Sequence, residues 1–304
     1  MAYSLTDKLV IGITSRALFE LDTAHHVFEE QGLEAYREYQ QKREDKPLAP
    51  GTGFALVKGL LALNRRLDEH AVEVVLISRN DADSGLRILN SIEHHQLEIT
   101  RSAFTDGSAS HAYLHPFCCD LFLSAHAADV RSALASGVAA GLVFPPPETV
   151  RDGKAPAADE VRIAFDGDAV IFSDESEKVF AREEIDGFRQ HECDNEDTPL
   201  SPGPFKGFLG KLSAIQSRFR DEECPIRTAL VTARDAPSHK RPIKTLRSWG
   251  LRVNESFFLG GLKKADFLNT FKPHIFFDDQ TTHINPAAAE TPSALVPPEA
   301  IEDH

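Results

Sequence analysis

The chain has 304 residues, 41% apolar and 26% charged, with 33 Lys and Arg against 47 Asp and Glu for a formal net charge of −14. This is a globular composition with room for two ordinary domains, and its field repels nucleic acid and anionic membrane surfaces, so neither is expected as a partner. No apolar run approaches the roughly 20 residues of a membrane helix. The amino terminus lacks a secretory pattern and the four cysteines form neither a CxxC pair nor a disulfide framework, so a cytoplasmic location is expected.

Taken in order, LVIGITSRALF at 9–19 predicts a first strand and its exit, followed by a polar helical segment through Tyr39. After the turn KPLAPG, residues Phe54, Leu56, Val57, Leu60, Leu61 and Leu67 recur at helical spacing, and VEVVLIS at 72–78 predicts a buried strand. DADSGLRILNSI suits a helix starting near Asp81 and Ser84, LEIT at 97–100 follows it, and CDLFLS ends a further strand at Ser124. The alternation predicts an α/β fold with a parallel, doubly wound sheet. PPPETVRDGKAPAADE at 145–160, rich in Pro, Ala and charge, predicts a linker between halves 1–150 and 151–304.

Beyond that linker the pattern restarts. At a shift of 152, residues 9–67 align with 161–219 without a gap, and 15 of the 59 pairs are identical. At a shift of 154, residues 74–126 align with 228–280, pairing Arg87 with Arg241 and Phe122 with Phe276. This predicts a tandem duplication of one parallel α/β fold. The copies differ at the ends of their apolar runs. The second half places Asp166-Gly167-Asp168, Thr232 and Asp278-Asp279 there, with Lys263 and Lys264 after Gly260-Gly261. The first has Thr14, Arg16, Ser78, Ser124 and Ala125, and no carboxylate. Strand ends of an open parallel sheet share one edge, where ligands bind, so chemistry is expected in the second half and a degenerate copy in the first.

Asp-x-Asp, Thr, Lys and Asp-Asp, in that order and each near an apolar strand, resemble the four motifs of the haloacid dehalogenase superfamily of phosphatases and phosphotransferases. Longer strings, AFDGDAVIFSDESE, PLSPGPFKGFL, CPIRTALVTARDAPSHKRPIKTLRSWGL and KPHIFFDDQTTHI, resemble the cytosolic 5′-nucleotidase type I family; KPLAPG, VVLISRNDADSGLR and DLFLSA extend the likeness into the first half. The resemblance implies Mg²⁺-dependent hydrolysis of nucleoside 5′-monophosphates such as AMP. Asp166 would be the nucleophile forming an aspartyl-phosphate, Asp168 the acid and base, and Thr232 and Lys264 the groups that meet the phosphate. Asp166, Asp168, Asp278 and Asp279 would hold the metal, with Asp168 serving through its carbonyl. GLKKAD departs from the family's usual proline-containing loop, which leaves the choice between Lys264 and Lys263 open.

Gly167, Thr232, Ala233, Arg234 and Ser238 are expected on the substrate, and Lys244 is a further candidate. Residues 175–203 are expected to form either a small helical cap or an ordinary first helix. In the first half, Thr14, Ser15, Arg16, Ser78 and Arg79 are expected to form a non-catalytic nucleotide site without metal, against the plainer reading of a copy kept for packing. Competing functions are a phosphatase for another small ester and a nucleotide-binding regulator. Self-association is an expectation from the family.

Overall fold

A computed structural model describes residues 3–148 and 160–298; the predicted linker falls largely on 149–159, outside them. The chain divides into two compact units at 158/159. In the first, β1 (Leu9–Ile13), β2 (Val72–Ser78), β3 (Arg101–Phe104), β4 (Leu121–Ser124) and β5 (Ala139–Val143) form a parallel sheet in the order β3-β2-β1-β4-β5. Its helices are α1 (Ser15–Leu18), α2 (Asp22–Gln41), α3 (Phe54–Leu67), α4 (Leu86–His94) and α5 (Ala127–Ala135).

The second unit contains β6 (Val161–Phe165), β7 (Ile226–Thr232), β8 (Glu255–Phe258), β9 (Ile275–Asp278) and β10 (Ser293–Leu295), parallel in the order β10-β9-β6-β7-β8. From the other edge this is the first unit's order. Its helices are α6 (Glu175–Asp194), α7 (Lys206–Gln216), α8 (Lys240–Ser248), α9 (Lys264–Phe271) and α10 (Thr281–Ala287). The strands are near-continuous apolar runs because helices cover parallel sheets on both faces. Phe165 stacks on Phe277 at 5.7 Å, with Phe205 and Phe208 packed beside them, all fully buried. Each such ring contributes about 1.5–3 kcal/mol of burial. Among the described residues, no helix is long and apolar enough to cross a membrane.

Side-chain contacts recur at the spacings of the sequence alignment, 152 and 154 residues. Arg37 pairs with Asp81 at 2.7 Å, and Arg189 with Asp235 at 2.6 Å. Arg87 donates to Gln40 and to the Lys46 carbonyl, as Arg241 does to Glu192 and the Thr198 carbonyl. Ser91 and Thr245 accept from the Leu48 and Leu200 amides. One pair is reversed: Arg101 binds Glu73, whereas Arg227 binds Glu255, each at 2.7 Å.

The gapless register breaks at one place. After β1, the Phe19 amide bonds the Ser15 carbonyl in an α-helical turn; after β6, the Phe172 amide bonds the Gly167 carbonyl across a wider π-turn, Gly167–Ile171. That turn holds one extra residue, with Ala169 at φ 58°. Four further elements differ from expectation. β3 starts at Arg101 rather than within 97–100; α5 with β5, and β10, lie in Ala-rich stretches whose weak strand signal gives way to parallel pairing with β4 and β9. Val296, just past β10, is buried, and its amide bonds the Asp278 carbonyl.

Candidate active site

Strand order sets the site. β6 and β9 are neighbours where the order reverses, so Asp166, just past β6, and Asp278, ending β9, meet at the crevice edge with Thr232 at the end of β7 alongside. The Asp166 amide is anchored by the Phe277 carbonyl at 2.8 Å, and its carboxylate accepts from the Gly167 amide at 2.7 Å.

Lys264 opens α9 and is buried, with its Nζ 2.8 Å from Asp166 and 2.6 Å from Asp278. Lys263 caps the same helix and is exposed. Asp278 also accepts from the Gln280 amide at 2.8 Å and meets His283 Nδ1 at 3.2 Å. Asp166, Asp278 and His283 bring ligand atoms within 4.8 Å of one another. Burial raises the Asp166 carboxyl to about 7 although Lys264 opposes it. Burial together with Asp166 and Glu177 raises Asp279 to about 9, and its Oδ1 is buried with no hydrogen-bond partner. Asp278 is held below its ordinary value because His283 and Lys264 outweigh its burial.

Asp168 lies within the π-turn, and both of its oxygens accept from Arg234, at 2.7 and 2.8 Å. The same guanidinium donates to Glu192, a fully buried carboxylate on α6 that also accepts from Arg241 and Ser176. Burial lowers the Arg234 pKa, but Asp168 and Glu192 more than offset it and hold the guanidinium above its ordinary value. Thr232 Oγ1 accepts from the Arg234 amide at 3.2 Å.

Of the other expected residues, Ser238 meets this cluster only through its carbonyl, which accepts from Arg234 at 3.3 Å, while its hydroxyl donates to the Asp235 carbonyl; Ala233 is exposed, and Lys244 is tied to Glu196 and Asp197 at 2.9 and 2.6 Å. Gly167 is not dictated by space, since an added Cβ would make ordinary contacts at 3.4 Å or more. In the first unit, Ser15 Oγ meets Ser78 Oγ at 3.2 Å, and Arg79 holds Asp129 through two bonds of 2.7 and 2.9 Å. Sequence reasoning missed His283 and Glu192. His283 falls at the register of Asp129, and Glu192 at that of Gln40, a charge gained only in the second half.

A family model described as 5′-nucleotidase matches residues 1–303. Human cytosolic 5′-nucleotidase 1B is 39% identical over 295 residues, 92% of this chain and 47% of that protein, so the chain spans about half the length of the curated relative it matches. Among solved structures, histidinol dehydrogenase from Elizabethkingia anophelis aligns at 10% identity over 95% of this chain and 52% of its own, with a TM-score of 0.22, too low for a common fold.

Proposed function

The chain belongs to the 5′-nucleotidase family, and on that premise we propose that it hydrolyses nucleoside 5′-monophosphates, AMP among them, at the strand ends of its second unit. The observation that carries this reading is Lys264 Nζ set between the Asp166 and Asp278 carboxylates beside Thr232, a buried cation where an oxyanion would lie against a nucleophile.

An Asp166 oxygen attacks phosphorus in line, and the bond to the nucleoside oxygen breaks as Asp168 protonates that oxygen. Water then attacks the acyl phosphate, giving its proton to Asp168 and returning Asp166 as a carboxylate. Lys264 and the Thr232 hydroxyl stabilise phosphoryl charge through both steps. Both Asp168 oxygens are occupied by Arg234, so proton transfer requires one of those bonds to open.

The residues fit Mg²⁺, a hard cation that takes oxygen ligands. Crowded buried carboxylates and the partnerless Asp279 Oδ1 are a donor set that a divalent cation would relieve. Asp166 and Asp278 would hold it, with Asp279 and the Asp168 carbonyl. When bound it screens the phosphate dianion from the attacking carboxylate.

The recurring contacts and the shared strand order support reading the units as duplicated haloacid-dehalogenase-like copies, the first degenerate and the second catalytic. The single helix α6, which supplies Glu192, is the candidate cap. Phosphate release from a panel of nucleotides and sugar phosphates, with Mg²⁺ and then EDTA, tests the function. Nucleoside monophosphates should turn over only with metal, and Asp166→Asn should lose at least about a thousandfold. Preference for sugar phosphates, or an active Asp166→Asn protein, would refute it.

A further inference from the structure

We propose that the first unit contains a separate, metal-independent binding site for a phosphate monoester with an aromatic body, in the cavity at the carboxyl ends of β1, β2 and β4. The proposal stands on the first unit alone and does not rest on hydrolysis by the second.

The cavity is about 440 Å³, the size of a small-molecule pocket. Its polar end is made by Thr14, Ser15, Arg16 and Ser124. The Thr14 side chain is nine-tenths buried, yet its Oγ1 has no hydrogen-bond partner; Arg16 Nε is likewise buried and partnerless. Buried polar groups are normally satisfied, and both of these can donate, so they call for an acceptor that the protein does not supply. A phosphate, rich in acceptor oxygens and anionic, suits a guanidinium beside hydroxyls.

The carboxylates lining the cavity already have cationic partners: Asp129 is bound by Arg79, and Asp81 and Asp106 by Arg37, while Asp22, outside this lining, reaches Arg16 Nη2 at 3.3 Å on the exposed side. In the second unit the registers of Thr14, Arg16 and Ser124 hold Asp166, Asp168 and Asp278. The first unit thus keeps the crevice and lacks carboxylates at those three registers, so anion binding there falls to hydroxyls and Arg16.

Another part of the lining is apolar. Leu21, Phe28, Leu33 and Tyr36 line it, although Phe28 and Leu33 remain 43% and 45% exposed. Gly32, at φ 84°, breaks α2 between them, and residues on both sides of the break reach the cavity. Large apolar side chains left open along a concave wall favour a flat aromatic ring, and Phe28 offers one to stack against. An anion-binding end and an aromatic-binding wall in one cavity specify both halves of the ligand.

Calorimetric titration of the full chain in EDTA tests this, with AMP, adenosine, ribose 5-phosphate and inorganic phosphate as probes. AMP should bind more tightly than any of the other three. Arg16→Met should weaken AMP at least tenfold and Thr14→Val at least threefold. Phe28→Ala should weaken AMP at least fivefold and leave inorganic phosphate unchanged. Melting temperatures of all three variants, together with Arg16→Lys, separate lost binding from lost folding. No EDTA-resistant AMP binding, or binding unaltered by Arg16→Met, overturns the site. A loss in Arg16→Met with none in Phe28→Ala overturns the ligand class. Phosphate release with Mg²⁺ is read separately, so an empty cavity and an inactive second unit give different results.

Discussion

Arg234 bridges three elements through one guanidinium, tying the π-turn by Asp168 to α6 by Glu192. Removing it leaves the buried Asp168 carboxylate without its cation and Glu192 with Arg241 alone, so Arg234→Ala should cost about 3–5 kcal/mol in urea denaturation. Adding Asp168→Asn should recover part of that loss; a strictly additive double mutant would show that the two do not act as a pair. His274 is a second buried ionisable group, away from the cluster. Its Nδ1 accepts the Arg162 amide, and burial, with Arg162 nearby, lowers its pKa from 6.5 to about 4. Above pH 6.5 both states are neutral and its contribution to stability is complete. As pH falls from there toward 4, the unfolded chain takes up a proton that the native one refuses, and stability drops by up to about 3 kcal/mol. His274→Asn keeps an acceptor for the amide and should flatten that decline. Denaturation midpoints that fall equally from pH 7 to 4.5 in both proteins would remove His274 as the cause.

The π-turn after β6 is closed from outside by Gly203, whose amide bonds the Ile171 carbonyl. A Cβ there would lie 2.2 Å from the Phe172 carbonyl oxygen and 2.6 Å from that of Val170, both backbone atoms that cannot rotate away. At Gly51, which aligns with it in sequence, the closest approach is 2.9 Å. Gly203→Ala should therefore cost about 2–3 kcal/mol, more than Gly51→Ala, and should slow turnover by displacing Asp168. Equal denaturation midpoints for the two variants would contradict this. Strand ends such as Asp166, Thr232 and Asp278 were legible because each follows a long buried apolar run. The extra residue in the turn was not, because the offset closes again within the interval where Gly32 leaves helical geometry, so the halves keep equal length. Nor could sequence choose between Lys263 and Lys264, since the phase of α9 decides which is buried. Glu192 was hidden by distance, lying 42 residues from Arg234 on a helix that reads as a polar surface.

A net charge of −14 repels a phosphate ester dianion, and the cations near the second-unit strand ends, Lys264 and Arg234, are already paired with carboxylates. Screening should then help capture: kcat/KM for AMP should rise by about two- to threefold from 10 to 150 mM KCl at fixed Mg²⁺. A fall over that range would mean that local attraction outweighs the overall field. Two sets of strands with the same order in one chain also invite a strand from one set to settle beside a strand from the other while both are forming. The reversed ion pair bears on that hazard. With β2 carrying Glu73 and β8 carrying Glu255, the wrong partnership sets carboxylate against carboxylate, and β7 beside β3 sets Arg227 against Arg101. Arg227→Glu with Glu255→Arg would make the two edges interchangeable. Native stability should stay within about 1 kcal/mol of wild type because the pair is partly exposed. The yield of correctly refolded protein should fall, because the chain would have lost the polarity mark by which each edge strand rejects the other unit's strands.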